Sequence, residues 1–314
     1  MAARPAPVAF FAFNRAAHAA ETLRALAANP EAWATTVHAF IDGPRNDAEA
    51  ERVADVRDVV ANALGFADVQ IHASPTNQGL FAAITGGVGR VLAAHDRVIV
   101  VEDDVEVSPG FLAYMNAALD RYRDEPRVGS IHGYAPPIAG LPDYFFLAGA
   151  DCWGWATWAD RWQLFERDPR ALLRTMAERK KLREFTATHG AQSLLQLVQR
   201  AQGRSQSWAT QWHASLFLAG RHTLHPGHSF VRNTGNDESG AHAVASDVHD
   251  SDATALFSGG LPDVVLQDVR AADALSRFLD RQAVRNVPLP EALSRPLLRT
   301  WAVAVARRAA EERA

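Results

Sequence analysis

The chain of 314 residues has one cysteine, Cys152, so no internal disulfide is open to it and its composition suits a reducing compartment. It has no surplus of positive charge. Against 36 Asp and Glu stand 32 Lys and Arg, a net charge of −4, which offers a nucleic-acid partner no electrostatic footprint. No apolar run reaches the ~20 residues that a membrane span needs. The short run Val8 to Phe13 lacks the length and cleavage site of a secretory leader, and it reads as a first strand. There is no internal repeat. What is left is 48% hydrophobic and 22% charged, the balance of a globular protein with a sizeable core. A cytoplasmic protein is expected.

What is present is concentrated in one stretch. Val98-Ile99-Val100-Val101 reads as a buried strand, and it ends abruptly in Glu102-Asp103-Asp104. A helix start is expected just beyond, with Ser108 as N-cap and Pro109 at the first helical position. Carboxylates crowded at the end of a buried strand repel one another and are costly to desolvate. A cation relieves both costs. Hard oxygen ligands suit Mg²⁺ or Mn²⁺, and Mg²⁺ is commonly held by one or two carboxylates together with substrate phosphates. The stretch therefore reads as a metal–diphosphate site, and its plain alternative is a solvated acidic loop.

Strand and helix patterns alternate through the first half. Strands are expected at 8–13, 37–41, 69–72 and 97–101, with helices between them. The alternation predicts a parallel sheet with helices on both faces, whose ligands bind beyond the carboxyl ends of the strands. Asn14-Arg15, Asp42 and the acidic triplet all fall at such ends. The second half holds short strands, the aromatic cluster Trp153-Gly154-Trp155-Ala156-Thr157-Trp158, helices over 170–203, and a polar loop from Asn233 to His242. Residues 246–263 read as a linker, and the tail from Pro288 as a basic helix.

These motifs, in this order, resemble those of nucleotide-diphospho-sugar glycosyltransferases of the GT-A fold in bacteria. The run Phe13-Asn14-Arg15, Asp42-Gly43-Pro44-Arg45, Asn77-Gln78-Gly79-Leu80, Val-Glu-Asp-Asp, the tryptophan cluster and the late polar loop is similar in order to that of the N-acetylglucosaminyltransferase I type enzymes. The resemblance covers roughly residues 7 to 245. It implies a Rossmann-like, mostly parallel central sheet flanked by helices, with an acceptor-side helical region and a C-terminal helical tail. A transferase domain over 5–245 and a linker with helical tail over 246–314 follow. It also implies that Asp104 binds the metal, Mn²⁺ or Mg²⁺, and that Asp103 meets the ribose. Glu102 would lie near the nucleoside, Asn14 and Arg15 would flank the nucleotide, and Asp42 would accept from a uracil N–H.

The expected partners are a nucleotide-sugar donor, a UDP-sugar, and a glycan or glycolipid acceptor in surface polysaccharide synthesis, with inversion. Such transfer needs the leaving diphosphate neutralised and a base for the acceptor hydroxyl. The relatives' base is an aspartate in a Trp-Asp-Asp-Trp run. The matching segment here is Trp208-Ala209-Thr210-Gln211-Trp212, where Ala209 and Thr210 stand in place of the carboxylates. Asp151 and Asp237 are the substitutes. Trp153 and Trp155 are candidates to face a sugar, and Glu238 and His242 to close on the donor or acceptor. Cys152 reads as a small buried side chain. His222, His225 and His228 read as structural, since Pro226-Gly227 breaks any helix there. The basic tail packs on its own domain, on a second copy, or at the inner face of a membrane. The rival functions are a nucleotide-sugar or glycan-binding protein of the same fold, and a nucleotidyltransferase. For the second, Asn14 to His18 makes a poor triphosphate loop.

Overall fold

The computed structural model describes residues 4–235, 252–284 and 291–311. The first half alternates as its periodicity predicts: β1 (Val8–Ala12), α1 (Ala16–Ala27), β2 (Thr36–Ile41), α2 (Asp47–Ala61), β3 (Asp68–Ala73), α3 (Leu80–Leu92) and β4 (Arg97–Glu102). Then follow β5 (Val105–Val107), α4 (Phe111–Arg121), β6 (Val128–His132), β7 (Tyr144–Ala148) and β8 (Trp155–Trp158). A helical region follows, with the single turn α5 (Ala159–Trp162), α6 (Pro169–Glu178), α7 (Leu182–Ala201) and α8 (Ala209–Leu218). The chain continues through β9 (His222–Pro226), β10 (Val231–Asn233), α9 (Val269–Val284) and α10 (Glu291–Glu311).

The sheet has eight strands in the order β3-β2-β1-β4-β8-β6-β9-β7. It is mostly parallel: β3, β2, β1 and β4 run together, β6 and β9 share their direction, and β8 and β7 oppose it. Side chains alternate across it. Val8, Phe10, Ile99 and Val101 point into one apolar layer, which also takes in α1, α2 and α4. Ala9, Phe11, Val98 and Val100 point into the other, with α3, Trp155 of β8, Trp212 of α8 and Trp208 at its N-cap. Burial on both faces is why β4 reads as a continuous apolar run.

The start of α4 departs from expectation. Its N-cap is Gly110, and the helix begins at Phe111 rather than at Pro109. The capping is done from a distance: Asn29, just past α1, accepts from the Leu112 N–H at 3.0 Å and donates to the Ser108 carbonyl at 3.0 Å. One side chain thus ties the end of α1 to the entry of α4, and the local signal at Ser108 is displaced.

The stretch expected as linker is packed where it is described. Ala255, Phe257 and Leu261 lie against the main core. The tail helices then dock on α7. That helix breaks at His189 and Gly190, where Gly190 adopts φ +71. The freed N–H of Ala191 donates to Asp280 of α9 at 2.9 Å, and Arg299 of α10 donates to the same carboxylate at 2.7 Å. Ala302, Val303, Ala306 and Ala309 of α10 pack with α6 and α7, while Leu297 and Trp301 stay exposed. The basic tail therefore packs on its own chain. No helix of the described residues is long and apolar enough to cross a membrane.

Candidate active site

The chain winds outward from β1 through β2 to β3, then crosses back to place β4 on the other side of β1. The gap between the carboxyl ends of β1 and β4 is a topological switch point, where open parallel sheets bind ligands. Arg15 follows β1, and Asp103 and Asp104 follow β4. The guanidinium bridges the two carboxylates, with Nη2 donating to Asp103 Oδ1 at 2.5 Å and Asp104 Oδ2 at 2.7 Å. Thr22 of α1 donates to the Asp103 carbonyl at 2.7 Å and fixes the turn.

The electrostatics are only part balanced. Burial, with repulsion from Asp104 and Asp103, pushes the Glu102 carboxyl up to about 8. Burial pushes Asp103 up to about 6 even though Arg15 pulls it down. Burial opposes the charge on Arg15, but Asp103 and Asp104 more than offset it and raise its pKa. With Glu102 protonated near neutral pH, one guanidinium set against Asp103 and Asp104 still leaves a negative excess, and oxygen donors of this kind fit a hard divalent cation. Among the described residues no preformed group of three His, Cys, Asp or Glu ligands surrounds a metal position.

A second strand pair closes the site from the side. β10 runs antiparallel to β5, and Thr234 N–H donates to the Asp104 carbonyl at 2.8 Å. The chain then passes so close to the Asp104 carboxylate that a Cβ on Gly235 would lie 2.2 Å from Oδ2. Asp237, Glu238 and His242, singled out in the sequence, lie outside the described residues.

Asp42 sits at the carboxyl end of β2, where expected, but its carboxylate is engaged. Oδ1 accepts from the backbone N–H groups of Gly43 and Gln78, at 2.9 and 2.8 Å. Oδ2 accepts from Asn77 Nδ2 and the Gly79 N–H, each at 3.0 Å. With about two bonds per oxygen the carboxylate is saturated. It knits Asp42-Gly43-Pro44-Arg45 to Asn77-Gln78-Gly79, and a uracil N–H would have to displace one of these donors. Asn14 Nδ2 lies 3.4 Å from Glu49 Oε1, a weak contact to the acid that pairs with Arg45.

The tryptophan cluster divides. Trp155 is 0% exposed and packs against Trp162, Trp208 and Trp212 on the far side of the sheet. It is a core residue, which corrects its expected sugar-facing role: β8 inserts between β4 and β6, so its side chains are covered on both faces. Trp153, just outside the strand, is half-buried, stacks edge-on against Tyr134 with centroids 4.7 Å apart, and lines a cavity. Asp151 lines the same cavity, with Oδ1 accepting from the Cys152 N–H at 2.9 Å and lying 3.9 Å from His132 Nε2. Ala209 and Thr210, between Trp208 and Trp212, also line it. Burial raises the Cys152 thiol well above its ordinary range, as suits an inert thiol.

Residues that the sequence did not single out complete this cavity. His132, His213 and His225 come from β6, α8 and β9 and are each at most 5% exposed. Only their convergence in the fold marks them; the sequence signal was limited to His225, which was read as structural.

No protein-family model matches the chain, and no curated protein matches it. Among solved structures, it is similar to the galactosyltransferase LgtC in complex with donor and acceptor sugar analogs, at 13% identity over 91% of this chain and 98% of that one, TM-score 0.40. It is similar to the mannosyltransferase PcManGT from Pyrobaculum calidifontis in complex with GDP-Man and Mn²⁺, at 13% identity over 98% of this chain and 74% of that one, TM-score 0.38. It is also similar to S. aureus TarS 1-349 in complex with UDP, at 14% identity over 43% of this chain and 37% of that one, TM-score 0.32. Similarities this distant carry no substrate or residue role across.

Proposed function

We propose that the chain is a metal-dependent glycosyltransferase that moves a sugar from a nucleotide-diphosphate sugar, a UDP-sugar, to a hydroxyl of a glycan or glycolipid, with inversion and with UDP as the leaving group. One observation carries the reading. Asp103 and Asp104 stand at the switch point of a mostly parallel sheet, bridged by Arg15 and still in negative excess. The motif order of the N-acetylglucosaminyltransferase I type enzymes supports the same assignment.

Asp104 would hold Mn²⁺ or Mg²⁺, which when bound neutralises charge on the leaving diphosphate. Asp103 would meet the ribose. Arg15, already placed between the two acids, would exchange part of that contact for a diphosphate oxygen. Asp42 acts in this reading by holding the 76–79 loop in place beside the nucleotide, and Asn14 flanks that loop's neighbour Glu49. Asp151, whose side chain is 42% exposed, would take the acceptor hydroxyl proton. Asp237, Glu238 and His242 join the proposal by sequence alone, as the polar groups next along the chain from Gly235. The transferase domain spans 5–245, and the tail helices of 246–314 support its acceptor side through α7.

Calorimetry of UDP with Mn²⁺ tests the proposal. The expected result is Mn²⁺-dependent binding that Asp104→Asn loses while circular dichroism stays unchanged. Unchanged affinity in the variant overturns the metal assignment. The replacement of a carboxylate by Ala209 and Thr210 gives a second reading its footing, that of a binding protein. Donor binding with neither transfer nor donor hydrolysis would replace the enzyme with that reading.

A further inference from the structure

The cavity beside the acidic turn has a chemical character of its own. It measures about 310 Å³, which at ~30 Å³ per water is room for about ten waters or one hexose unit. Four polar side-chain atoms of residues that line it are buried and, among the described residues, have no hydrogen-bond partner: Nε2 of His132, His213 and His225, and Oγ1 of Thr210. Buried polar groups are nearly always paired, so four orphans around one cavity point to a ligand.

The rings specify which kind. Burial lowers His132 and His225 to about 3 and His213 to about 4, so all three are neutral imidazoles at physiological pH. A neutral wall gives a phosphate no counter-charge. Nδ1 of His132 faces Nδ1 of His225 at 3.2 Å, so one ring donates and the other accepts. The Nε2 atoms left over must then be one acceptor and one donor. Thr210 adds a hydroxyl with both capacities. Hydroxyl groups, which give and take at once, match this mixed set. Leu275, Phe278 and Leu279 of α9 and Phe145 of β7, whose ring stacks on His225 with centroids 5.6 Å apart, add apolar lining that suits the C–H face of a sugar ring. Among the described residues no three His, Cys, Asp or Glu side chains converge closely enough to hold a metal.

We infer that this cavity binds an uncharged, hydroxyl-rich ring of hexose size, through the imidazoles of His132, His213 and His225 and the hydroxyl of Thr210. The inference rests on the sugar-transferase reading and gives it an acceptor subsite, since Asp151 lines the same wall. It places the acceptor's terminal unit partly beneath α9, so the C-terminal layer takes part in recognition.

Saturation-transfer NMR on the full chain, with the methyl glycosides of glucose, galactose, mannose and N-acetylglucosamine, is the test. At least one glycoside should bind, without nucleotide or metal. Thr210→Val keeps the shape and removes the hydroxyl. It should weaken that glycoside about three- to tenfold while leaving Tm and UDP–Mn²⁺ affinity unchanged. His132→Phe should weaken it likewise, with a lower Tm because it also strips the Nδ1 partner from buried His225, and the valine variant keeps the test open if the phenylalanine variant fails to fold. If UDP–Mn²⁺ binds and no glycoside does, or if Thr210→Val binds glycoside as the wild type does, the subsite is refuted and the transferase reading stands. If glycosides bind and no nucleotide does, the subsite stands and the transferase reading falls. A rise in Tm with Zn²⁺ alone that Thr210→Val and His132→Phe abolish, without glycoside binding, would make the cavity a metal site and overturn the inference.

Discussion

Glu102→Gln should stabilise the metal-free protein in alkali and leave it nearly unchanged in acid. Glu102 ends β4 behind Asp103 and Asp104, and burial with their repulsion carries its carboxyl from 4.5 to about 8. A carboxyl raised on folding holds its proton better in the fold than in the unfolded chain. Its contribution is whole below pH 4.5 and is lost as the pH climbs to about 8. At 1.36 kcal/mol per pH unit that interval sets a ceiling of about 5 kcal/mol. Solvent reaches part of the side chain, which brings the working value to about 2–3 kcal/mol. Glutamine has the same shape and never ionises. Urea unfolding followed by tryptophan fluorescence in EDTA, at pH 5, 7 and 9, should show the variant ahead of wild type by that amount at pH 9 and level with it at pH 5. Asp103, raised from 3.8 to about 6, keeps a smaller slope of the same sign in both proteins. Mn²⁺ should narrow the gap at pH 9 by supplying the missing positive charge. A variant whose stability falls with pH as steeply as wild type refutes the account of a strained acidic turn.

Gly235→Ala would place a methyl group against Asp104 Oδ2, where the Cβ comes within 2.2 Å. Calorimetry should show UDP–Mn²⁺ affinity reduced at least tenfold with Tm nearly unchanged, and equal affinity would mean that this approach does not shape the site. Asp280→Ala strips the buried partner from Arg299 and from the Ala191 N–H, and should cost about 3–5 kcal/mol in urea unfolding. A cost under about 1 kcal/mol would show that the C-terminal layer docks without that cluster. Asp151→Asn should lower kcat by roughly 10²–10⁴ without changing UDP affinity. Transfer at the wild-type rate rules Asp151 out as the base.

The fold was legible where the hydrophobic period is strong. The parallel half and the polar clusters at its strand ends could be placed from sequence because βαβ units impose both the alternation and the binding edge. Local signals misled where tertiary contacts replaced them. Ser108 and Pro109 read as a cap, yet Asn29, 79 positions earlier than Ser108, does the capping. Trp153 and Trp155 were both candidates to face a sugar, but β8 runs antiparallel through the middle of the sheet and buries Trp155 while Trp153 stays half-buried beside the cavity. The histidine cluster was invisible for a related reason. Its members sit on β6, α8 and β9, far apart in the chain, and nothing in their spacing announces that β6 and β9 pair side by side.

The same reasoning bears on the missing carboxylate between Trp208 and Trp212. Read along the chain, Ala209 and Thr210 look like the loss of a catalytic base. Read in space, they open onto the cavity that Asp151 also lines, so a carboxylate is present at that wall although it enters from the connection between β7 and β8. General-base catalysis asks for a proton acceptor within hydrogen-bond reach of the acceptor hydroxyl, and it is indifferent to which element supplies it. A small residue at 209 and a hydroxyl at 210 then have a use that a carboxylate would spoil. A second acid facing Asp151 in a cavity walled by neutral imidazoles would repel it and hold one of the two protonated. In the proposed transferase the two features are consistent as a pair: one carboxylate in the cavity, with positions 209 and 210 left uncharged for a sugar.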